Sequence, residues 1–420
     1  MLINPVKSWK GKLIGMKILK RVTAVLLTAV VAVSFTACGG RSEHAKKLNI
    51  DTAVSINIWY QDDAYTSYLD YIAQQFHKAN EFITVNPVKV EENNLLDAVY
   101  NGSIAQNNVA DVYLMEASDM QRAYLMGLTA ENDVYTQYYS QKHFPVTAIN
   151  AACYEGKLYG YPVTFHTAVM VYNKKYTTAP DNFEQIEAFL NSYQVTDENK
   201  DVDMIVGWDT QDLWTNYAFG GSYVDNGGTL GEDAKSDVQT EALKAAMTEY
   251  AALQNTFGIV DKTQEEYKQM FMNNQLIYTI LDSTQLADLN ASGVDYGICA
   301  VPGAKTGFGT QSLSDTTLAM VNPYSENTDT AKAVAQAISY DYADLLEKDT
   351  GYISARTDVA DKNKKVLYQP LYEVYAKSDS YAKYIGADEF YVRYSILLHN
   401  IWKGEDLNES VDAFIKAVSR

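Results

Sequence analysis

Residues 156–175 have the sequence GKLYGYPVTFHTAVMVYNKK. From Tyr161 to Tyr172 the segment is dominated by Val, Tyr, Phe and Thr, the β-branched and aromatic residues that favour strands. Pro162 lies near its beginning, and the polar residues 173–175 follow its last tyrosine. We therefore predict a long strand that contains Pro162 and ends at residues 173–175.

Strands and helices alternate in the segments before this strand. Residues 54–59 alternate apolar and polar side chains, which predicts a strand, and residues 65–76 have apolar side chains at helical spacing. Residues 83–90 predict a second strand, residues 95–105 a helix and residues 110–115 a third strand. Such alternation is typical of α/β lobes with parallel sheets.

The segments after the long strand continue this alternation. Further strands are predicted over residues 276–281, 296–301 and 317–321, and helices within residues 183–193, 237–257, 331–346, 366–376 and 396–418. The sequence contains no internal repeat and no low-complexity tract.

The length and charge limit the classes of function. Removal of residues 1–37 would leave 383 residues, more than one hydrophobic core normally organises, so two lobes are expected. The formal net charge is −19, and subtracting the six basic residues of that leader leaves −25. This charge argues against binding to nucleic acid, which depends on Lys and Arg at phosphates, and against polybasic adhesion to membranes.

The N-terminal residues have the layout of a secretory signal. Residues 22–35 form an almost continuous apolar run behind Lys17, Lys20 and Arg21. A transmembrane anchor is the alternative, but these 14 residues are fewer than the roughly 20 that span a bilayer. Met16 is an alternative start to Met1.

Cys38 follows the small residues at the end of this run. A cysteine in that place resembles the lipobox of bacterial lipoproteins, which implies that Cys38 is lipidated and becomes the new N-terminus. We therefore expect residues 1–37 to be a signal peptide, residues 38–52 to be a tether, and the protein to be anchored by lipid on the extracytoplasmic face of the membrane.

Local motifs for metals and cofactors are absent from the sequence. The five histidines form no HxxxH or HExxH and there is no CxxC, so a zinc site has no support. Residues 197–203 begin like a calcium loop but lack its turn glycine and its final Glu, which favours a solvated acidic loop over a calcium site. We expect no metal and no cofactor. Cys153 and Cys299 are expected to be free, buried thiols rather than a disulfide.

An exported glycoside-degrading enzyme is the main alternative to a binding protein. Such an enzyme needs two carboxyl groups about 5 to 9.5 Å apart across the scissile bond. The acid pairs at 62–63, 91–92 and 265–266 are poor candidates, because neighbouring residues on a strand point to opposite faces. Carboxylates that are distant in sequence remain open candidates.

The order and spacing of several segments resemble the extracellular solute-binding proteins of the maltose-binding type, the capture components of ABC sugar importers. The resemblance extends from Ser55 to Ala417. The matching segments are residues 56–59, 110–113, 156–162 with 172–175, 271–280, 351–358 and 401–405. Asn274 replaces a usual glycine and Ser354 a usual proline.

This resemblance implies a two-lobe α/β fold of the periplasmic-binding-protein type, with crossing hinge strands and a ligand cleft between the lobes. The N-terminal lobe would comprise residues 51–163 and 312–368. The C-terminal lobe would comprise residues 164–311 and 369–420. Ligand binding would close the lobes by hinge motion.

The resemblance also implies a set of ligand-binding residues. Aromatic rings would cover the C–H faces of a sugar and polar groups would take its hydroxyls. The candidates are Trp59, Asp62, Asp63, Glu116, Asp119, His166, Asp209, Trp214, Asp282 and Tyr391. His166 stands where the family's prototype has a ligand carboxylate, and Asp282 stands where it has a tryptophan.

Each candidate has a structural alternative that the sequence leaves open. Trp59, Trp214, His166 and Tyr391 could pack in the core, and the acidic candidates could be solvated loop residues or helix caps. Taken together, we expect a non-enzymatic, monomeric protein that captures a carbohydrate and delivers it to the permease subunits of an ABC importer. A sensory sugar-binding protein is a further alternative.

Overall fold

The computed structural model describes residues 47–91, 94–106, 109–228, 236–359, 365–384 and 386–418. The predicted signal peptide, Cys38 and the first part of the predicted tether lie outside the described residues. Within the described ranges, no helix is both long and apolar enough to cross a bilayer.

The described strands, in chain order, are β1 (Val54–Tyr60), β2 (Ile83–Lys89), β3 (Val112–Glu116), β4 (Cys153–Tyr154), β5 (Lys157–Leu158), β6 (Tyr161–Asn173), β7 (Met204–Val206), β8 (Val224–Asp225), β9 (Asp237–Val238), β10 (Leu276–Asp282), β11 (Tyr296–Cys299), β12 (Leu313–Val321) and β13 (Asp379–Ser380).

The described α-helices are α1 (Thr66–Ala79), α2 (Leu95–Ala105), α3 (Met120–Leu125), α4 (Val146–Ala152), α5 (Phe183–Ser192), α6 (Leu213–Gly221), α7 (Thr240–Phe257), α8 (Gln264–Met272), α9 (Leu286–Ser292), α10 (Thr328–Gln336), α11 (Leu346–Thr350), α12 (Lys365–Lys377), α13 (Ala387–Trp402) and α14 (Leu407–Val418).

The main sheet has the order β2-β1-β3-β12-β6-β10-β7, with β11 also paired to β6 and β13 to β12. The predicted β-α-β opening is confirmed, because β1 and β2 are parallel and α1 connects them. Strand β12 is antiparallel to both of its long neighbours, β3 and β6. The sheet is therefore mixed, and β12 lies near its centre.

The predicted long strand is confirmed as β6, which joins two parts of the sheet. Its residues 161–167 pair with β12, and its residues 168–173 pair with β10 and β11. The register with β12 shifts next to Pro162, which has no N–H to donate to a ladder. One continuous strand therefore carries side chains from one group of strands to the other.

The boundaries of most other elements agree with the patterns in the sequence. The buried face of α1 contains Tyr68, Leu69, Ile72 and Phe76, and the helix ends before Asn80. The helix predicted from residue 237 begins only at Thr240, because residues 237–238 pair with β8 as a short strand. Cys153 and Cys299 are free thiols, as predicted, but both are half-buried rather than fully buried.

Candidate functional site

Three strands end at the candidate site, and each is followed by one turn of 3-10 helix. These turns are Asp63–Tyr65 after β1, Ala117–Asp119 after β3 and Ser283–Gln285 after β10. The Asp62 side chain accepts a hydrogen bond from the Ala64 N–H, which caps the first turn. Crevices outside the carboxyl ends of strands are the usual ligand sites of open α/β sheets.

Two cavities, each of about 470 Å³, adjoin one another at this place. The first is lined by four of the predicted residues, which are Asp62, Glu116, Asp119 and His166. The second is lined by Trp214, Tyr381 and Lys383, among others. Asp119 and Arg122 line both cavities, so the two volumes form neighbouring parts of one cleft.

Glu116 is the last residue of β3 and lines the first cavity. Its Oε1 accepts a hydrogen bond from Thr317 Oγ1 at 2.9 Å, whereas its Oε2 is fully buried and has no hydrogen-bond partner. Burial, together with the negative charge of Asp315, raises the pKa of Glu116 to about 7. One oxygen of this carboxyl group, Oε2, is therefore buried and accepts no hydrogen bond.

His166 lies on β6, lines the first cavity and contacts Trp214 of the second. Its Nδ1 is 2.8 Å from Asp282 Oδ2, and its ring lies 4.6 Å from the ring of Trp214. Burial alone would lower the pKa of the imidazole, but the charge and hydrogen bond of Asp282, with the charges of Asp315 and Glu116, raise it to about 10. The cation in turn holds the pKa of Asp282 below its usual range despite burial. The pair is therefore ionic at neutral pH.

The other two acids of the first cavity have different environments. Asp62 Oδ2 accepts a hydrogen bond of 2.6 Å from the Tyr352 hydroxyl. Burial raises the pKa of Asp119, although the nearby Arg122 acts in the opposite direction. Arg122 itself is paired with Asp97 at 2.8 Å. The carboxylates of the cleft therefore outnumber its cations.

Two of the predicted aromatic residues lie outside the cavity linings. Trp59 is 7% exposed and packs in the apolar cluster that contains Leu96 and Tyr113. Tyr391 is also buried, and its hydroxyl accepts hydrogen bonds from Asn226 Nδ2 and the Ala382 N–H. Its ring is stacked on Tyr381 at 3.9 Å, so Tyr381 is the member of this pair that lines the cleft.

The remaining predicted acids lie beside the cleft or behind it. Asp63 is exposed and forms an ion pair with Lys89 at 2.8 Å. Asp209 accepts hydrogen bonds from the main-chain N–H groups of Gln211 and Gln264, so it fixes the loop before α6. Asp282 reaches the cleft through His166 rather than lining it. The structure thus groups Asp62, Glu116, Asp119, His166 and Trp214.

Several cleft residues were not anticipated from the sequence. Tyr352, Tyr381 and Arg122 line the cavities, and Asp315 lies directly behind Glu116. The high tyrosine content, 33 residues, favours surfaces where an aromatic ring contacts a ligand and its hydroxyl stays hydrated. It does not identify which tyrosines line the cleft. Asp315 gave no local signal, because it lies within a fully buried strand.

Comparisons with known proteins agree with this architecture. The family model of bacterial extracellular solute-binding proteins matches residues 71–372. The maltodextrin-binding protein MdxE of Bacillus subtilis is 23% identical over 305 residues, which cover 68% of this chain and 69% of that protein.

Solved structures show the same fold. A cyclo/maltodextrin-binding protein complexed with maltotetraose has a TM-score of 0.73 at 16% identity, covering 88% of this chain and 98% of that chain. An extracellular solute-binding protein from Staphylococcus aureus in complex with maltose has a TM-score of 0.72 at 18% identity, with the same coverage. The likeness confirms the predicted two-lobe α/β fold class. Since the family model spans most of the sequence, this chain belongs to the family of bacterial extracellular solute-binding proteins.

Proposed function

We propose that this protein captures a linear oligosaccharide, of the maltodextrin type, in the cleft formed by the two adjoining cavities. The observation that carries the proposal is that aromatic rings and carboxylates line two adjoining cavities. Trp214 and Tyr381 line one cavity, Glu116 and His166 line the other, and Asp119 lines both. The maltodextrin- and maltose-binding relatives support this choice of ligand.

The physical fit is between an amphipathic ligand and an amphipathic cleft. A sugar ring offers apolar C–H faces to aromatic side chains and hydroxyl groups to carboxylates. A buried acceptor without a partner costs about 1–3 kcal/mol, so an unpaired atom such as Glu116 Oε2 favours a ligand that donates to it. The excess of carboxylates also disfavours sugars that carry phosphate, sulfate or carboxylate groups.

Isothermal titration of the purified protein with glucose, maltose, maltotriose and maltotetraose tests this proposal. We expect one site per chain and a tighter dissociation constant for the oligosaccharides than for glucose, since only they fill both cavities. Glucose 6-phosphate should give no heat of binding. Failure of every neutral oligosaccharide to bind would overturn the proposal.

Hydrolysis of a glycoside is the second candidate, and one observation favours it. A carboxyl group with a pKa of about 7, such as Glu116, has the protonation behaviour of a general acid. A carboxylate oxygen of Asp315 lies within 4.8 Å of Glu116, but Asp315 is only 4% exposed and accepts hydrogen bonds from the main-chain N–H groups of Ser118 and Thr316. A nucleophile held in this way does not reach a sugar in the cavity.

Chromatography after prolonged incubation with maltotetraose tests for hydrolysis. We expect the sugar to stay intact, whereas release of shorter products would show that the protein is an enzyme.

Delivery to the permease of an ABC importer from a lipid anchor completes the proposal. A tether raises the effective concentration of the captured solute at the permease. Replacement of Cys38 by Ala should leave the protein uncleaved or release it from the membrane, and fractionation of cells measures this. A cleaved Cys38→Ala protein that stays on the membrane would contradict the anchor. Uptake that persists without this protein would favour the sensory alternative.

We also propose that the lobes are residues 51–163 with 312–368 and residues 164–311 with 369–420. Strand β6 changes partners between Thr167 and Ala168, from β12 to β10 and β11, which supports a boundary in this strand a few residues after the proposed one. Trp214 would then belong to one lobe, and Glu116 and Asp119 to the other. A ligand that contacts all three would hold the lobes together.

A further inference from the structure

We propose that Glu116, His166 and Asp315 form a binding site for a divalent transition-metal cation at the base of the cleft. Each residue offers one ligand atom, and these three atoms lie within 4.8 Å of one another. Zinc–nitrogen and zinc–oxygen bonds are about 2.0–2.2 Å long. Side-chain rotations that move each ligand atom by about 1 Å therefore bring all three atoms within bonding distance of one ion. The site shares Glu116 and His166 with the proposed sugar cleft, so a cation and a sugar hydroxyl would compete for Glu116 Oε2.

The three residues are held by neighbouring strands of the sheet rather than by loops. Asp315 of β12 lies directly opposite His166 of β6, and Thr317, two residues further along β12, lies opposite Glu116 of β3. Residues two apart on a strand point to the same face. The three candidate ligands therefore share one face of three hydrogen-bonded strands, a rigid support for a metal site.

Each candidate ligand also has a second partner that fixes its orientation. Asp282 Oδ2 is 2.8 Å from His166 Nδ1, so Nε2 is the nitrogen that would bind the cation. Because the imidazole paired with Asp282 is protonated at neutral pH, the cation would displace the proton of Nε2, which is released to solvent. Thr317 donates to Glu116 Oε1, and the main-chain N–H of Thr316 donates to Asp315 Oδ1 at 2.7 Å. A carboxylate bonded to the distal nitrogen of a histidine ligand is a recurrent feature of metal sites.

Glu116 offers the cation a fully buried acceptor, Oε2, that has no hydrogen-bond partner. Glu116 is also one of three carboxylates around His166, together with Asp282 and Asp315. Among the described residues, no ion pair joins a Lys or Arg to any of these three carboxylates; His166 is their one cationic partner. A divalent cation at this place would bind Glu116 Oε2 and would offset the excess negative charge of the three carboxylates.

The donor set selects the kind of metal. Imidazole nitrogen with two carboxylate oxygens suits zinc, cobalt or manganese, whereas magnesium and calcium prefer oxygen ligands alone. Glu116 and His166 line the cavity and Asp315 lies behind them, so the open coordination positions of the cation would face the cleft. Catalytic-type zinc sites likewise combine three protein ligands with one open position.

Titration of the protein with metals, after treatment with EDTA and removal of the chelator, tests the site without any sugar. We expect isothermal titration to show one site for Zn²⁺, saturable at micromolar concentrations, and no comparable site for Mg²⁺ or Ca²⁺. Co²⁺ should give the visible absorption of a site with nitrogen and oxygen ligands. Absence of saturable Zn²⁺, Co²⁺ and Mn²⁺ binding by the wild-type protein would overturn the proposal.

Variants assign the binding to these residues. Glu116→Gln and His166→Gln, which preserve side-chain size, should each weaken Zn²⁺ binding at least tenfold. Asp201→Asn changes an exposed acid of the 197–203 loop and is the matched control, with unchanged affinity expected. Thermal unfolding of each variant shows whether it is folded, and the Co²⁺ spectrum provides a second measurement for any folded variant. Equal Zn²⁺ affinity in the wild type and in folded Glu116→Gln and His166→Gln variants would contradict the assignment.

Discussion

Trp214 is the residue on which the aromatic part of the cleft depends most. It lies between His166, at 4.6 Å between ring centroids, and Tyr381, at 6.4 Å. Trp214→Ala should weaken oligosaccharide binding about tenfold or more, which corresponds to ~1.4 kcal/mol, because buried aromatic anchors dominate binding energy. Isothermal titration measures the change. Trp214→Phe should restore part of the affinity, and Tyr324→Ala, at an exposed tyrosine outside the cleft lining, should leave it unchanged. Equal affinities for all four proteins would place the ligand elsewhere.

Asp379 makes stability depend on pH. Burial raises the pKa of its carboxyl group to about 7, although hydrogen bonds from Tyr217 and Gln311 act in the opposite direction. Between pH 4 and pH 7 the folded state therefore binds more protons at this group than the unfolded state does. Its contribution to stability is largest at low pH and is lost as pH rises through about 7.

Asp379→Asn should therefore reduce the decline of the unfolding temperature between pH 5 and pH 7.5. Burial also raises the pKa of Glu116, so this group affects the unfolding temperature of both proteins in the same pH range. The effect of Asp379 is therefore the difference between the wild-type and variant plots of unfolding temperature against pH. Parallel curves for the two proteins would show that Asp379 does not titrate in this range.

The sequence predicted some cleft residues and could not predict others, for reasons that differ by residue. Glu116 and Asp119 were predicted through the family resemblance, which implies ligand residues after the strand predicted over residues 110–115. Asp315 was not, because it precedes the strand predicted over residues 317–321 and comes near Glu116 only through sheet pairing across about 200 residues. Tyr391 was predicted because the family resemblance implies an aromatic platform there, and no local pattern shows that Tyr381 is the ring of this stacked pair that lines the cleft.

At the scale of elements, one lysine closes the end of helix α4. Lys383 is 1% exposed, and its Nζ donates to the carbonyl groups of Asn150, Ala151 and Cys153, the last two at 2.8 Å. These carbonyls lie at the C-terminal end of the helix, where a cation is also favoured by the helix dipole. The segment between β13 and α13 is thereby attached to α4.

Lys383→Met should lower the free energy of unfolding by about 1–3 kcal/mol or more, because it leaves several buried carbonyls unpaired. Chemical denaturation measures the loss. Lys377→Met, at an exposed lysine of α12, is the matched control and should change stability by less than about 0.5 kcal/mol. A Lys383→Met protein as stable as the control would show that water replaces the ammonium group.

The elements themselves were largely predictable, whereas their neighbours in the sheet were not. Apolar periodicity was sufficient for α1, β6 and β10. The short strand β9 was assigned to a helix, because two residues that pair with β8 carry no periodic signal of their own. The antiparallel insertion of β12 between β3 and β6 depends on contacts between distant segments, which no local pattern specifies.

At the scale of the whole molecule, the proposed lobes predict closure on the ligand. The solute would contact Trp214 on one side and Glu116 or Asp119 on the other, so binding should favour the closed arrangement. Small-angle X-ray scattering with and without saturating maltotriose should show a smaller radius of gyration in the complex. An unchanged radius, with binding verified by titration, would contradict hinge closure.

The whole-molecule fold was predicted through the family resemblance rather than from composition or charge. The net charge of −19 excluded classes of partner but identified none. The spacing of the segments along the chain implied the two-lobe fold, which the structural comparisons confirm. The lobe boundaries stay a prediction that depends on the behaviour of β6.

A crystal structure of the protein with maltotriose tests the central claim most directly. The account predicts one oligosaccharide in the two adjoining cavities, with a sugar ring against Trp214 or Tyr381 and hydroxyl groups on Glu116 or Asp119. Empty cavities at saturating sugar, or a sugar bound at another surface, would contradict the account.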